Sequence, residues 1–380
     1  MLTFLLLLYQ TPFSLVLLSR LSSAPRRIPP LEPKLDQEKR SVSVVIPTLN
    51  ERQRLPNCLA GLKEQPIGEI IIVDSRSTDG TREYVEALQP SYPIPLRLVT
   101  DPPLPPNWVG RPWALNYGWQ QSRPEYRWLL GLDADTLPQP GLVAAVVDTA
   151  EAQGWDILTL APQFIVEYPG EQWLQPSLLL TLVYRFGASG DRAQFSQERV
   201  MANGQCFLVK KSVLEALGGY TLAQSSFCDD VTIVRAVAQR GYRVGFLDGA
   251  KVLQVRMYTS MAETWREWGR SLDLKDAATP LSTGGDCLYL LAVQGLPLLV
   301  SVGMLWARPQ SIVDFLLLDL NIGLVLIRVL LLFAIRPSYR AVGLWYWLSP
   351  LSDPVAVLRI WLSALQKPKV WRGRVYSNLG

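Results

Sequence analysis

The sequence predicts an α/β protein in which a mostly parallel sheet carries helices on both faces, with transmembrane helices at the N- and C-terminal ends. Three observations predict it. Between about residues 40 and 280, short β-branched runs alternate with helical stretches, the pattern of strand–helix–strand units. Acidic residues stand at the ends of those runs, where open parallel sheets bind ligands. Long apolar stretches are confined to the two ends of a 380-residue chain that is 49% hydrophobic and only 18% charged.

The first apolar run, Leu2 to Leu18, is interrupted only by Tyr9, Gln10, Thr11, Pro12 and Ser14, and is followed by Arg20, Arg26 and Arg27. A cleaved signal peptide carries its positive charge before the apolar run, so this one reads as a retained anchor with its basic flank in the cytoplasm. Pro29 to Arg40 is a Pro- and charge-rich linker. Val42–Ile46 is a buried strand, followed by Pro47-Thr-Leu-Asn-Glu51 and a helical stretch to Leu62. Ile70–Val73 is a second strand running into Asp74, and Ser75 to Thr81 then leads into another helix. Leu96–Val99 is a third strand, and Trp128–Leu132 a fourth, running into Asp133-Ala-Asp135. Phe227-Cys-Asp229-Asp230 opens a helix that ends at Arg240-Gly241.

Three apolar stretches close the chain: Leu288–Trp306, Ile312–Ile335 and Ala341–Leu362, each near the ~20 residues that cross hydrocarbon. The connector with Arg336 and Arg340, and the tail with Lys367, Lys369, Arg372 and Arg374, both belong on the cytoplasmic side by charge. Both lie there only if the last stretch does not cross. Its break at Ser349-Pro-Leu-Ser-Asp-Pro354 suggests a re-entrant hairpin or two interfacial half-helices, giving three spans and one re-entrant segment. Asp314, Asp319 and Arg328 fall inside a span, as helix-end residues, packing partners or a lipid contact. The expected organisation is an anchor at 1–20, a linker at 21–40, a catalytic domain at 41–285, a transmembrane and re-entrant region at 286–365, and a basic cytoplasmic tail at 366–380.

The chain has no histidine, which excludes Ser-His-Asp triads, His-based zinc sites and every imidazole base. Acid–base work falls to a carboxylate, Cys, Lys or Tyr. The four cysteines are scattered, without a Cys-x-x-Cys pair, as suits a reducing compartment. A net charge of +4 does not indicate nucleic acid. Neither Gly-x-Gly-x-x-Gly after the first strand nor a P-loop is present, which argues against a Rossmann dehydrogenase or a P-loop NTPase.

Asp74, Asp79, Asp133 and Asp135 all sit at strand ends. A lone Asp-x-Asp is usually a solvated turn. Placed after an apolar strand, with two more acids at an earlier strand end, it suits Mg2+ or Mn2+, whose remaining ligands come from water and phosphate. Such a metal neutralises a departing diphosphate. Arg111 is a candidate phosphate cradle, the alternative being a surface residue at a helix start. Asp229 and Asp230 are either helix caps or, in a chain without histidine, the source of a general base.

In this order, Val44-Val-Ile-Pro-Thr-Leu-Asn-Glu51, Val73-Asp-Ser-Arg-Ser-Thr-Asp-Gly-Thr81, Gly110-Arg111 with Ala114-Leu-Asn116, Leu132-Asp-Ala-Asp-Thr136, and Asp229-Asp230 with Gly241-Tyr-Arg-Val244 resemble the family 2 glycosyltransferases of GT-A fold. The resemblance runs from about Val42 to Arg270. It implies that Pro47, Glu51 and Asp74 line the nucleotide pocket, Asp74 facing the base. It further implies that Asp133 holds donor ribose or diphosphate, that Asp135 holds the metal, and that Asp230 is the base, with Asp229 where the family usually has Glu. The family's Gly-Lys appears here as Gly110-Arg111. The Gln-x-x-Arg-Trp motif of processive synthases survives only as Arg270 within Glu267-Trp-Gly-Arg270-Ser271, which argues against chain building.

Asn203, Gly204 and Gln205, Val255-Arg-Met-Tyr258, Trp265 and Trp268 look most like the carotenoid glycosyltransferases, with hopanoid and ceramide glucosyltransferases next. The two tryptophans are acceptor contacts or interfacial anchors. The resemblance implies a membrane-anchored, metal-dependent inverting enzyme facing the cytoplasm. It would move a hexose from a nucleotide-diphosphate sugar, UDP-glucose the first choice, to a hydroxyl of a carotenoid-like membrane lipid. Hopanoid, ceramide or polyprenyl-phosphate acceptors are the alternatives, and from another class a catalytically silent scaffold that binds nucleotide sugar.

Overall fold

A computed structural model describes residues 1–22, 27–36, 38–190, 197–269, 272, 274–366, 370–371 and 374–375. The chain forms two compact units. One comprises Ile28–Phe164, Gln194–Met257 and Lys369–Gly380; the other comprises Met1–Arg27, Ile165–Ala193 and Tyr258–Pro368.

The first unit is built on a seven-stranded sheet. Its strands are β1 (Val42–Thr48), β2 (Glu69–Asp74), β3 (Leu96–Val99), β4 (Trp128–Leu132), β6 (Ile157–Ala161), β8 (Cys206–Lys210) and β9 (Val244–Asp248), in the order β3-β2-β1-β4-β8-β6-β9. β1, β2, β3 and β4 are mutually parallel, as are β6 and β9, while β8 runs antiparallel to both of its neighbours. A second sheet of β5 (Thr136–Pro138), β10 (Leu253–Val255) and β7 (Gln163–Phe164) follows the order β5-β10-β7.

The central strands are continuous β-branched and leucine runs because both faces are covered. Val44, Ile46, Ile70, Ile72, Leu130 and Leu132 enter one core with Leu59, Leu62, Leu142 and Val146 from helices Leu55–Leu62 and Leu142–Gln153. Each such side chain contributes about 1.5–3 kcal/mol on burial. The opposite face is covered by helix Gly110–Gln121, which lies so close that a Cβ on Gly118 would come within 2.4 Å of Val45 Cγ1. The four strands expected at 42–46, 70–73, 96–99 and 128–132 are therefore present, two of them a residue or two longer than read.

The segment expected as a linker is packed against this unit. Leu31 is buried in the core and its N–H donates to the Asp248 carbonyl at 2.8 Å. Arg40 holds Asp148 at 2.7 Å and Asp36 at 2.7 Å.

In the other unit, helix Leu2–Leu21 has 20 residues, enough for about 30 Å at 1.5 Å per residue. Among the described residues, this helix and the one at 312–338 are long and apolar enough to cross a membrane, and a third crossing exists if Pro280–Gly295 and Pro297–Ala307, bent by 46°, form one span. The stretch expected to be re-entrant is broken at its prolines into Leu344–Trp347, a 3-10 turn at Ser349–Ser352 and helix Asp353–Leu365. Helix Pro169–Phe186, which lies inside the 41–285 range expected for the catalytic domain, belongs to this unit.

Several polar residues in these helices are paired. Gln10 and Asn321 exchange amide hydrogen bonds at 2.9 Å in each direction, and Gln10 also donates to the Ala292 carbonyl. Arg328 Nε donates to Asp353 Oδ2 at 2.7 Å, and its Nη2 reaches the hydroxyls of Ser177 and Ser349. Asp314 caps helix Ile312–Ile335 by bonding to the Ser311 N–H, while Asp319 lies exposed on the same helix. The basic tail is largely outside the described residues.

Candidate active site

Parallel β1, β2 and β4 end at one edge of the sheet, bringing Thr48, Asp74 and the turn after Leu132 to the same rim. Antiparallel β8 starts at that rim, with Cys206 opposite Leu132, so Asn203-Gly204-Gln205 lies beside Asp133. The Asp133 N–H bonds to the Gln205 carbonyl at 3.3 Å. Asp74 and Asp133 are two strands apart, roughly 10 Å at the usual strand spacing.

Arg111 ties this rim together. It follows Val109, the extended residue that starts helix Gly110–Gln121. Its Nε donates to Asp133 Oδ1 at 2.9 Å, its Nη1 to Asp229 Oδ2, and its Nη2 to the Gly204 carbonyl at 2.6 Å. The side chain is 12% exposed, so the surface-residue alternative does not hold. Burial works against its charge, and the carboxylates of Asp133, Asp229 and Asp230 overcome this and hold the guanidinium well above its usual range.

Gly204 is required by the same contact. A Cβ there would lie 2.6 Å from Arg111 Nη2 and 3.0 Å from Cζ. The Gly204 N–H donates to Asp230 Oδ2 at 2.7 Å, and Asp230 Oδ1 accepts from the Val231 N–H at 2.9 Å. The two acids at the start of helix Asp229–Gln239 thus divide the work: Asp229 is bound to Arg111, whereas Asp230 is held by backbone N–H groups and is partly exposed. Burial pushes the Asp229 carboxyl up to about 7 against the pull of Arg111, and burial likewise raises Asp230.

Asp135 is buried beside Asp133. Burial, reinforced by the Asp133 charge, pushes its carboxyl up to about 7, with Arg54 and Arg111 opposing. Cys58, one turn along helix Leu55–Leu62 from Arg54, has its Sγ 3.5 Å from Thr136 Oγ1, which sets this helix against the Asp133–Thr136 turn. Asp135 Oδ1 is buried without a hydrogen-bond partner. Among the described residues no three acids or cysteines gather as a metal cage. A single orphaned carboxylate oxygen next to a second carboxylate fits a hard divalent cation that takes its other ligands from phosphate and water.

The loops after β1 and β2 interlock. Asp74 is buried, accepting from Thr48 Oγ1 at 3.3 Å and the Ser77 N–H at 3.2 Å. Pro47 lies beside Val73 in the ladder, partly exposed. Glu51 is buried and pairs with Arg54 at 3.4 Å. Asp79 accepts from the Arg52 N–H at 2.9 Å, a bond that joins the two loops, and from the Thr81 N–H at 3.1 Å within its own loop.

Asn203 Oδ1 accepts the Gln205 N–H at 2.8 Å; Gln205 is buried and Asn203 partly exposed. Trp265 and Trp268 belong to the other unit. Trp268 is buried, and Trp265 is half-buried with its carbonyl bonded to Arg359 Nε at 2.7 Å. Arg270 lies outside the described residues. Sequence reasoning passed over Arg54, Arg76 and Asp101. Only Arg76, in the turn after Asp74, stood next to a residue already singled out.

The family model for glycosyl transferase family 2 matches residues 43–218, which include β1, the Arg111 helix, the Asp133–Asp135 turn and Gly204. The chain is 24% identical over 241 residues to a 4,4'-diaponeurosporenoate glycosyltransferase of Staphylococcus haemolyticus, covering 63% of each protein. It is 24% identical over 246 residues to the probable glycosyltransferase YdaM of Bacillus subtilis, covering 62% of this chain and 54% of that one. The matches thus span between half and two thirds of the length of these relatives. In structure the chain is similar to the mannosyltransferase PcManGT from Pyrobaculum calidifontis, solved in complex with GDP-Man and Mn2+, with a TM-score of 0.57, 18% identity, and coverage of 96% of this chain and 99% of that one. Residues 43–218 thus match the glycosyl transferase family 2 model, and the strand layout is that of the GT-A fold.

Proposed function

We propose that this protein is an inverting glycosyltransferase that moves a hexosyl group from a nucleotide-diphosphate sugar, UDP-glucose in the first instance, to a hydroxyl of a carotenoid-like membrane lipid. The observation that carries this reading is the rim cluster in which Arg111 and Gly204 join Asp133, Asp229 and Asp230. The carotenoid acceptor is supported by the name of the Staphylococcus relative, and the bilayer by the apolar helices. The catalytic domain is assigned to the cytoplasmic side by the basic flanks of those helices.

Asp230 takes the proton from the acceptor hydroxyl. Its oxygens are oriented by the Gly204 and Val231 N–H groups, and its raised pKa brings it nearer the range useful to a general base. The acceptor oxygen forms its bond to the anomeric carbon from the face opposite the leaving group. The carbon–oxygen bond to the diphosphate breaks, and the nucleoside diphosphate departs with the electron pair.

Asp135, with Asp133 beside it, would hold Mg2+ or Mn2+. When bound, that cation supplies positive charge against the departing diphosphate. Arg111 keeps Asp133 and Asp229 in place, and Arg270 is assigned to the leaving group by its motif. Pro47, Glu51, Asp74 and Asp79 are assigned to the nucleotide end. Asn203, Gly204 and Gln205 are assigned to the acceptor end.

The test is Asp230→Asn in membranes supplied with UDP-glucose and hydroxylated carotenoid, read as hexose added to the pigment. Turnover should fall about 10²–10⁴-fold while donor binding is kept. Wild-type turnover in the variant would remove Asp230 from the mechanism. Replacing the pigment with ceramide, hopanoid or polyprenyl phosphate identifies the acceptor.

A further inference from the structure

Arg76 occupies a position that an ordinary structural role does not explain. It lies in the turn after β2, two residues beyond Asp74, with φ at +65°. This is the left-handed region that non-glycine residues rarely adopt, and glycine would sit there without strain. Residues held in such conformations cluster at ligand sites, where the surrounding structure over-determines them.

Here the surroundings do so. Arg76 Nη2 donates to the Asp101 carbonyl at 2.8 Å, and its Nη1 lies 3.5 Å from Asp101 Oδ1. The Asp101 side chain is 2% exposed, and its other oxygen accepts from Ser75 Oγ at 2.9 Å. Ser75 is in turn fixed by its N–H to the Thr48 carbonyl at 2.9 Å. A buried acid thus anchors one edge of a guanidinium that is itself 49% exposed. A half-exposed ion pair of this kind adds little stability. The clamp instead fixes a planar donor group in orientation. Two of its five N–H groups face Asp101, and three are left for a ligand at the rim that carries Asp74.

We propose that Arg76 is a donor-specificity residue that reads the nucleobase of the bound nucleotide, donating N–H bonds to a keto oxygen of the base. The inference rests on the nucleotide-sugar reading above and names the part of the donor that Arg76 recognises. Uracil and guanine offer keto oxygens; adenine has none. A site built to hydrogen-bond a ligand group discriminates strongly against an analogue that lacks it.

The experiment measures binding of UDP, GDP and ADP to the full-length protein by calorimetry, for wild type, Arg76→Gly, Arg76→Lys and Asp101→Asn, together with the melting temperature of each. The wild type should bind UDP or GDP more tightly than ADP. Arg76→Gly should weaken binding of the preferred nucleotide about tenfold and leave ADP unchanged, its melting temperature being read against that of Asp101→Asn to separate loss of the ion pair from loss of the base contact. Arg76→Lys should recover only part of the affinity, and Asp101→Asn should lose part of it by freeing the guanidinium.

Unchanged affinity and preference in Arg76→Gly would overturn the proposal. So would equal weakening of all three nucleotides with a lower melting temperature, the mark of a purely structural partner for Asp101. A wild type that binds none of the three nucleotides fails at the earlier step and overturns the nucleotide-sugar reading itself.

Discussion

Replacing Arg111 with methionine keeps an unbranched apolar stem, shorter than the arginine, and removes the guanidinium and its charge. Three acceptors lose their donor at once: Asp133 Oδ1, Asp229 Oδ2 and the Gly204 carbonyl. Asp229 is almost wholly buried, so its carboxylate has no water to turn to. Removing one partner of a buried ion pair costs about 3–5 kcal/mol. For a domain of this size each kcal/mol moves the melting temperature by about 2–4 °C, so Arg111→Met should melt roughly 6–20 °C lower in a fixed-rate scan at pH 8. The loss should shrink at pH 5.5, because the stranded acids are then protonated. Arg111→Lys restores the charge as a single point that cannot serve three separated acceptors, and should fall between the two. The double variant Arg111→Met with Asp229→Asn should melt higher than Arg111→Met alone, since the uncompensated charge is gone. A melting temperature within 2 °C of wild type for Arg111→Met at pH 8, or a double variant no better than the single, would refute the clamp.

Gly204→Ala should leave the fold intact and lower kcat by up to about 100-fold, because the new Cβ meets a guanidinium that three bonds prevent from moving, and Asp230 is displaced with it. A kcat equal to wild type would show that the rim has slack. The donor-free protein should lose stability as pH rises from 5 to 8. The Asp135 and Asp229 carboxyls are raised from 3.8 to about 7 in the folded state, so the folded protein binds more protons than the unfolded one in that window. The stabilisation is complete below 3.8 and lost through about 7. Melting temperatures that climb over the same window would contradict the burial of these acids.

Much of this site is legible because strand ends are punctuated. Ile70-Ile-Ile-Val73 and Trp128–Leu132 are apolar on both faces, so the first acid after each run marks the rim, and Asp74 and Asp133 are found there. Asp229 and Asp230 open a helix as read, but both alternatives for them, cap and catalytic acid, suit a helix N-terminus equally well, and tertiary contacts are needed to distinguish them. The far half of the sheet is not legible in the same way. Cys206–Lys210 is a short apolar run whose direction leaves no mark in the residues, and its antiparallel insertion between β4 and β6 is what carries Gly204 to Asp133. The fork of Arg111 joins residues 22, 93 and 118 positions away, a distance over which no local pattern operates. Arg76 is hidden for another reason: its left-handed backbone is imposed by Asp101 and Ser75, and propensity argues against it.

Charges within the apolar helices obey the same physics. Arg328 has three stated origins in the sequence, as a helix end, a packing partner or a lipid contact, and it is a packing partner. Asp353, just after the proline-broken turn, receives its Nε, while Gln294 donates to the other Asp353 oxygen at 3.0 Å. Two apolar residues of similar volume would hold these segments together at no loss of stability, because desolvating an ion pair cancels most of its attraction. Apolar contacts, however, tolerate sliding by a turn. A guanidinium that must meet a carboxylate and two serine hydroxyls does not, since any slip leaves a buried charge unpaired. The pair therefore specifies how the broken segment at 344–365 docks on helix Ile312–Ile335, and explains why a chain so rich in leucine retains an arginine there.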